Sequence, residues 1–434
     1  MKRTGIRALA LLCCFPLLPV LAAPAAAATV TVRDGYESGY GIEIPFTPSP
    51  RADRYTFEVF EAGNAAGTPL VTAEVAASGG EQSIYLPLCY DPSGPTAYTL
   101  QITAHPGDQR VGLDSAAAKR VTFTTKPTCG CPEGTGGAFY LGDGSAQNPY
   151  RVCSPAQLQH LNHEAHLTGG QSFLQTGDLD LSSYGDWTPI GGNGYSAFDG
   201  TYDGGGHVIR NMKISGSKEN AGLFGLAAGT IQNLGVDASC QIDTLGLRAG
   251  GLAAQIPQNG SLTVRSCYSA ASVRVTSTST NITMGGLVGH APNVSLDMAG
   301  CYFSGSLTAA SGPYRYAGGL VGYPPHSTLQ IRQCYSDGTL SIGSGTIWRG
   351  VGALFGYLLG TGTGGLSGNY WQSGKGANAT IGSYGDVGPA SNAGGTALST
   401  AQMAQQSSFS GFDFTNTWRW DSTANRPRLA AFDH

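Results

Sequence analysis

The side chains in this chain with chemical reach are cysteines, histidines and a few aspartates. Cys129 and Cys131 stand in "PTCGCPEGTGG" as a C-x-C pair. Such a pair could hold a metal, but the second Cys or His pair that zinc sites take is not found close by in the sequence. Disulfides from Cys129 and Cys131 to Cys89 and Cys153 are the expected alternative. Further on, "CSPAQLQHLNHEAHL" reads as a helix with Ser154 as N-cap, Pro155 at its first position and Gln157 completing the cap. Leu158, Leu161 and Ala165 then share one face, and His160, His163 and His166 fall on the other, expected to be solvated. "HEAH" is one residue short of the H-E-x-x-H arrangement that sets two histidines on one zinc ion. Asp199 and Asp203 in "FDGTYDGGGH", with His207 close by, are the best carboxylate pair for glycoside hydrolysis, which needs two carboxyl groups at a defined separation. Turn formation accounts for them equally well, because Asp and Gly both favour bends.

The elements that must position these residues follow a leader. Residues 1–28 carry Lys2, Arg3 and Arg7, then "ALALLCCFPLLPVLAA", then small residues before Thr29, the pattern of an export signal. Removing it takes Cys13 and Cys14 and leaves eight cysteines in a compartment that permits disulfides: Cys89, Cys129, Cys131, Cys153, Cys240, Cys267, Cys301 and Cys334. It also leaves 21 basic against 28 acidic residues, a balance that excludes a nucleic-acid partner. No later stretch reaches the roughly 20 apolar residues of a membrane span. An extracellular chain, secreted or associated with a cell surface, is expected. Charged residues make up only 12% and glycine 65 of the 434 positions, so many turns are required.

Residues 29–126 alternate apolar and polar positions in runs such as "RYTFEVFEA" and "AYTLQITAH", the signature of an antiparallel sandwich. "YTLQITA" followed by "VTFTTKP" resembles a fibronectin type III domain, which would act as a spacer. Residues 127–140 read as a linker rich in Cys, Pro and Gly.

Beyond the linker the chain repeats. An apolar residue followed three positions later by a second marked residue occurs at Ile209 and Met212, Ile231 and Leu234, Val264 and Cys267, Met298 and Cys301, Ile331 and Cys334, and Leu366 and Asn369. The second members lie 22, 33, 34, 33 and 35 residues apart, a solenoid period. Glycine-flanked apolar pairs precede most copies, as in "AGLFG", "GGLVG" and "GALFG". A spacing of three breaks the strand period of two at the same place each time, so a corner is expected there. Short strands and corners repeated in this way describe coils of a parallel β-helix. A site that accepts Leu, Met and Asn alongside Cys suits a buried stack, where Cys acts as a small hydrophobe. The glycine runs lack the Lys and the following Ser or Thr of a phosphate loop, and supply corners and close stacking instead.

"GGLVG" followed by "CYSDG" resembles the GLUG repeat of bacterial extracellular proteins. "FDGTYDGGGHVIRNMKI" resembles the start of such repeat regions, and "LSTAQMAQQSSFSGFDFTNTWRWDSTANRPRL" resembles their closing segment. The resemblance implies an all-β chain: an N-terminal β-sandwich, then a right-handed parallel β-helix with short capping helices. Its parts are the N-terminal cap and first turns (141–215), GLUG-type coils (216–395) and a closing segment (396–434). The helix near Ser154 and the segment from Ser399, where Gln402 completes a second capping box, are the expected end caps.

A non-catalytic binding or adhesion protein is expected, with no catalytic, cofactor-binding or metal-ligating residue and no cofactor. Its partners would be glycans or host and matrix surface proteins. Tyr268, Tyr302, Tyr335, Tyr370 and Trp371 recur beside the repeated position. They could form an exposed stripe for glycans or could pack between coils. The alternative is a glycan-active enzyme, a polysaccharide hydrolase or lyase, in a groove of the β-helix.

Overall fold

The computed structural model describes residues 127–433 with breaks at 133–134, 193–195, 279–280, 326–327, 359–361 and 383–389. Before residue 127 it describes 31–32, 36–38, 41–48, 52–61, 69, 71–86, 97–106 and 117–122. The expected leader and Cys89 lie outside the described residues. The chain divides into two compact units, the first built mainly from residues 43–86 and 98–121 and the second from 122–434.

In the first unit, Ala52–Glu61 is flanked by antiparallel Val71–Ala76 and Ala97–Pro106. Gly41–Thr47 pairs with Thr31–Val32 in a separate sheet. Alternation puts Tyr55, Phe57, Val59, Leu100 and Ile102 on a buried face, and Phe46 meets the rings of Tyr55 and Phe57 at 5.5 and 5.0 Å.

The second unit is a parallel β-solenoid. Its two longest sheets have eight strands each and run from Tyr150–Val152 to Leu366–Ser367 and from Leu179–Asp180 to Thr396–Leu398. Three shorter parallel sheets complete the coils. In the first long sheet, Tyr202, Ile231, Val264, Met298, Ile331 and Leu366 are successive register partners, advancing 29, 33, 34, 33 and 35 residues.

The corner falls where the sequence places it. Asn233, Ser266, Gly300, Gln333 and Gly368 all take the left-handed conformation, with φ between 50° and 61°. One such residue reverses the side-chain alternation, so the residue before the turn and the residue after it both point inward. Leu234, Cys267, Cys301 and Cys334 are consequently fully buried and Asn369 nearly so. Met212 does not belong to this column. Ile209 is level with Val236, and the hydrogen bonds Gln241 N to Met212 O and Ser272 N to Cys240 O set Met212 level with Cys240 at the next corner. The entry spacing of 22 therefore measured two different corners.

The glycines of "GGLVG" serve close approach. A Cβ on Gly286 would lie 2.1 Å from the Gly319 carbonyl oxygen and 2.2 Å from the Phe303 ring.

At the N-terminal end, helix α1 (Pro155–His160) is capped by Ser154 Oγ, which accepts from Gln157 N. It ends at Leu161, and a separate turn α2 (Glu164–Leu167) begins after His163. Leu158, Leu161 and Leu167 are buried with Phe139, which leads a column of rings through Phe173, Phe198 and Phe224 at 5.4, 5.8 and 5.2 Å. The cap near Ser154 is thus present, but as two short helices rather than one, and Ala165 is exposed.

The other expected cap behaves differently. Helix α3 (Thr400–Met403) carries the Ser399–Gln402 capping box. Beyond it the chain folds back along the flank of the coils as a strap, ending in the antiparallel pair Trp418–Asp421 and Arg426–Leu429.

Candidate functional site

The tyrosine row lies under this strap. Tyr268, Tyr302, Tyr335 and Tyr370 are register partners in successive coils. The first three rings stack at 5.0 and 4.9 Å with interplanar angles of 8° and 1°. Phe432 covers Tyr268, Trp418 covers Tyr302 and Tyr335, and Phe409 covers Tyr370. Tyr335 Oη donates to Pro427 O at 2.9 Å and Tyr370 Oη to Ser410 O at 2.7 Å. Tyr335, Tyr370 and Trp371 are buried, while Tyr268 and Tyr302 are half-buried. The four tyrosines are the floor of a satellite core, while Trp371 points into the main core of the coils, so together they form no open glycan stripe.

The aspartates are spent on stacking. Asp199 Oδ1 accepts from Gly170 N, and Asp203 accepts from Gly205 N, Gln232 Nε2 and Asn233 Nδ2. His207 faces Asp178 at 3.6 Å, beside the Asp178–Arg210 ion pair at 2.7 Å. Elsewhere on the coils Asp186 meets Lys218, Glu219 meets Arg248, Asp243 meets Arg274, and Asp297 meets Arg265 and Arg332. Each pair joins neighbouring coils. Partial burial raises the carboxyls of Asp178, Asp186 and Asp297, but hydrogen bonds and the adjacent cations outweigh it and hold them below the usual range. A glycosidase acid needs the opposite shift.

A different aromatic surface lies on the outer side of the solenoid. Strand Gly312–Gly318 places Tyr314 and Tyr316 on one face, and Trp348 is the register partner of Tyr314 in the next coil. Tyr314 and Trp348 meet edge to face at 5.2 Å. Tyr316, Tyr323 and Tyr357 contact one another at 5.4 to 5.9 Å, and His290 adjoins Tyr323 at 5.2 Å. Tyr314, Tyr323 and Trp348 are part-exposed, and Ile347 beside them is 55% exposed. The aromatics of this face do follow the repeat: Tyr314 and Trp348 share one register position, and His290, Tyr323 and Tyr357 each directly follow a "GGLVG" or "GALFG" motif, so the period contained this signal although the reading of the repeat passed over it.

The third constellation joins residues that lie up to 37 positions apart in the sequence. Cys129, Cys131, His160 and His166 bring one ligand atom each to within 4.8 Å of all the others. Cys129 and Cys131 are free thiols, so the disulfides expected for them are not formed. Cys153 is disulfide-bonded, and among the described residues no other cysteine is its partner. Gly130 between the two thiols has φ +77°, a turn that lets both sulfurs point to one side. Thr128 N donates to Phe139 O at 2.8 Å and anchors this loop beside α1.

The break between α1 and α2 swings His166 back toward His160. Their ring centres are 5.0 Å apart, and Phe139 packs edge-on against both. His166 is fully buried, His160 half-buried, and His163 exposed, so a uniformly solvated histidine face is not what forms. Burial works to raise the Cys129 thiol, but the neighbouring His160 and His166 imidazoles and backbone hydrogen bonds outweigh it and bring it down to about 5. Cys131 is pushed up to about 11 by burial and by the neighbouring Cys129.

No known family model matches the chain. Over 158 residues it is 35% identical to halomucin of Haloquadratum walsbyi, covering 33% of this chain and 2% of that one. Over 104 residues it is 34% identical to a protein described as a Gly-rich membrane protein of Evansella cellulosilytica, covering 22% and 12%. The chain therefore spans only a small part of either relative. Among solved structures, a protein described as an immunoglobulin A1 protease from Bacteroides ovatus aligns over 68% of this chain and 96% of its own, at 20% identity and a TM-score of 0.46. Pectate lyase PelI from Erwinia chrysanthemi aligns over 86% and 100%, at 12% identity and a TM-score of 0.18. Neither likeness is close enough to transfer a chemistry. Among the described residues no helix is long and apolar enough to cross a membrane.

Proposed function

We propose that this chain is a non-catalytic extracellular or cell-surface protein of the GLUG-repeat type, in which a β-helix presents a binding face and the fibronectin type III-like region acts as spacer. The observation that carries the reading is the group of part-exposed rings Tyr314, Tyr323 and Trp348, with the buried rings of Tyr316 and Tyr357 packed against Tyr323. Aromatic faces of this kind stack on the apolar faces of sugar rings and anchor protein partners at low entropic cost. Glycans are the partner class it suits best. The relative described as a membrane protein agrees with a surface location. Engagement of the acidic side chains, Asp199 and Asp203 in hydrogen bonds and Asp178, Asp186, Glu219, Asp243 and Asp297 in ion pairs between coils, argues against the alternative of a polysaccharide-cleaving enzyme.

The test is a glycan and matrix-protein array with the purified chain, read beside a reducing-sugar release assay. Binding weakened at least tenfold by Trp348→Ala and Tyr314→Ala, roughly the 1.4 kcal/mol of one lost anchor, supports the reading. Sugar release abolished by Asp199→Asn or Asp203→Asn would overturn it.

A further inference from the structure

We infer that Cys129, Cys131, His160 and His166 form a tetrahedral binding site for a zinc ion, independent of the aromatic face. Two thiolates and two imidazoles are a donor set that zinc takes in closed structural sites. Bonds of about 2.3 Å to sulfur and 2.0–2.1 Å to nitrogen imply donor–donor edges of roughly 3.3 to 3.8 Å in a tetrahedron. The sulfur of Cys131 lies 3.3 Å and that of Cys129 3.9 Å from His160 Nε2.

A second observation points to a ligand. His166 is fully buried, and its Nε2 has no hydrogen-bond partner. Its Nδ1 lies 2.8 Å from Gln171 Oε1, an acceptor, so Nδ1 carries the proton and Nε2 presents its lone pair to the cluster. A buried imidazole oriented from behind in this way is the usual arrangement of a zinc ligand. On binding, each neutral thiol that ligates loses its proton to solvent, and Zn2+ with two thiolates and two neutral imidazoles carries no net charge. That neutrality suits a site walled by Phe139 and Tyr150, whose rings lie 5.2 and 5.7 Å from His166. The ion would clip the 127–140 loop to the two helices that close the first coil. These residues then make a cross-linked cap instead of a free linker.

The test uses the full chain purified under reducing conditions, stripped with a chelator and titrated with Co2+ and then Zn2+. One Co2+ per chain is expected, with the intense visible band of a tetrahedral thiolate site, and Zn2+ should displace it. Cys131→Ser and His160→Asn, at part-exposed positions, should weaken Co2+ binding more than tenfold while circular dichroism stays unchanged. Gln171→Leu should weaken it by about 10–100-fold through loss of the orienting bond. Wild-type binding no tighter than that of the folded Cys131→Ser variant would overturn the inference. So would a six-coordinate cobalt spectrum, or a Cys129–Cys131 disulfide whose reduction restores no metal uptake.

Discussion

Asn369 ends the column that Leu234 and the three cysteines fill, and it does so with every amide atom engaged. Its Oδ1 accepts from Cys334 N at 3.1 Å, and its Nδ2 donates to Ile331 O and Gly394 O at 2.8 and 3.0 Å. Asn369→Leu matches its neighbours in type but strands those backbone groups, so chemical denaturation should show a loss of about 2–4 kcal/mol. His290 gives a pH-dependent counterpart. Burial, with Arg248 nearby, lowers it from 6.5 to about 4, and its Nδ1 has no hydrogen-bond partner. Because the folded value is the lower one, the unfolded chain takes up a proton first as pH falls. Stability is then full above pH 6.5 and declines toward pH 4, by about 3 kcal/mol for this one group. Between wild type and His290→Phe the stability difference should be constant above about pH 7 and change by this amount as pH falls across that window, as followed by denaturation. At this scale the sequence was only partly legible. A column of inward residues could be read from periodicity, whereas the convergence of His160 and His166 on Cys129 and Cys131 depends on a helix break that periodicity does not encode.

The corners and the glycine pairs decide how the coils form. The three-residue spacing foretold a corner because no strand can point residues i and i+3 the same way without a local reversal. It could not foretell that Ser266 and Gln333 would adopt φ near 50° where other coils use Gly300 and Gly368. Ser266→Gly should relieve that strain and stabilise the chain by about 0.5–1 kcal/mol, seen as a raised denaturation midpoint. Gly286→Ala tests the opposite effect. Its methyl group would meet Gly319 O and Phe303 well inside contact distance, so a loss of several kcal/mol, or failure to fold, is expected from the same measurement. The first repeat departs from the expected column for a comparable reason: Met212 sits at its own corner, and apolar spacing alone does not distinguish one corner of a coil from the next.

Across the whole second unit, a solenoid in which coils touch only their neighbours is a one-dimensional stack, prone to fray from either end. The strap alters this, because Phe432, Trp418 and Phe409 grip four successive tyrosines. Arg426 adds an ion pair to the buried Asp337. Trp418→Ala should cost about 3–5 kcal/mol and turn a single unfolding transition into a broader one, measurable by calorimetry and by binding of a hydrophobic dye. The repeat period foretold the coils, but not that the closing segment would turn back along their flank, since its aromatic residues carry no period that names their partners. The order of synthesis gives this arrangement a further meaning. A ribosome makes the tyrosines before the strap, so a chain interrupted before residue 409 holds complete coils with an uncovered ladder of rings. Such a truncated product would be sticky and protease-sensitive while keeping its β-structure, and arrival of the strap marks the point at which the coils become safe to release.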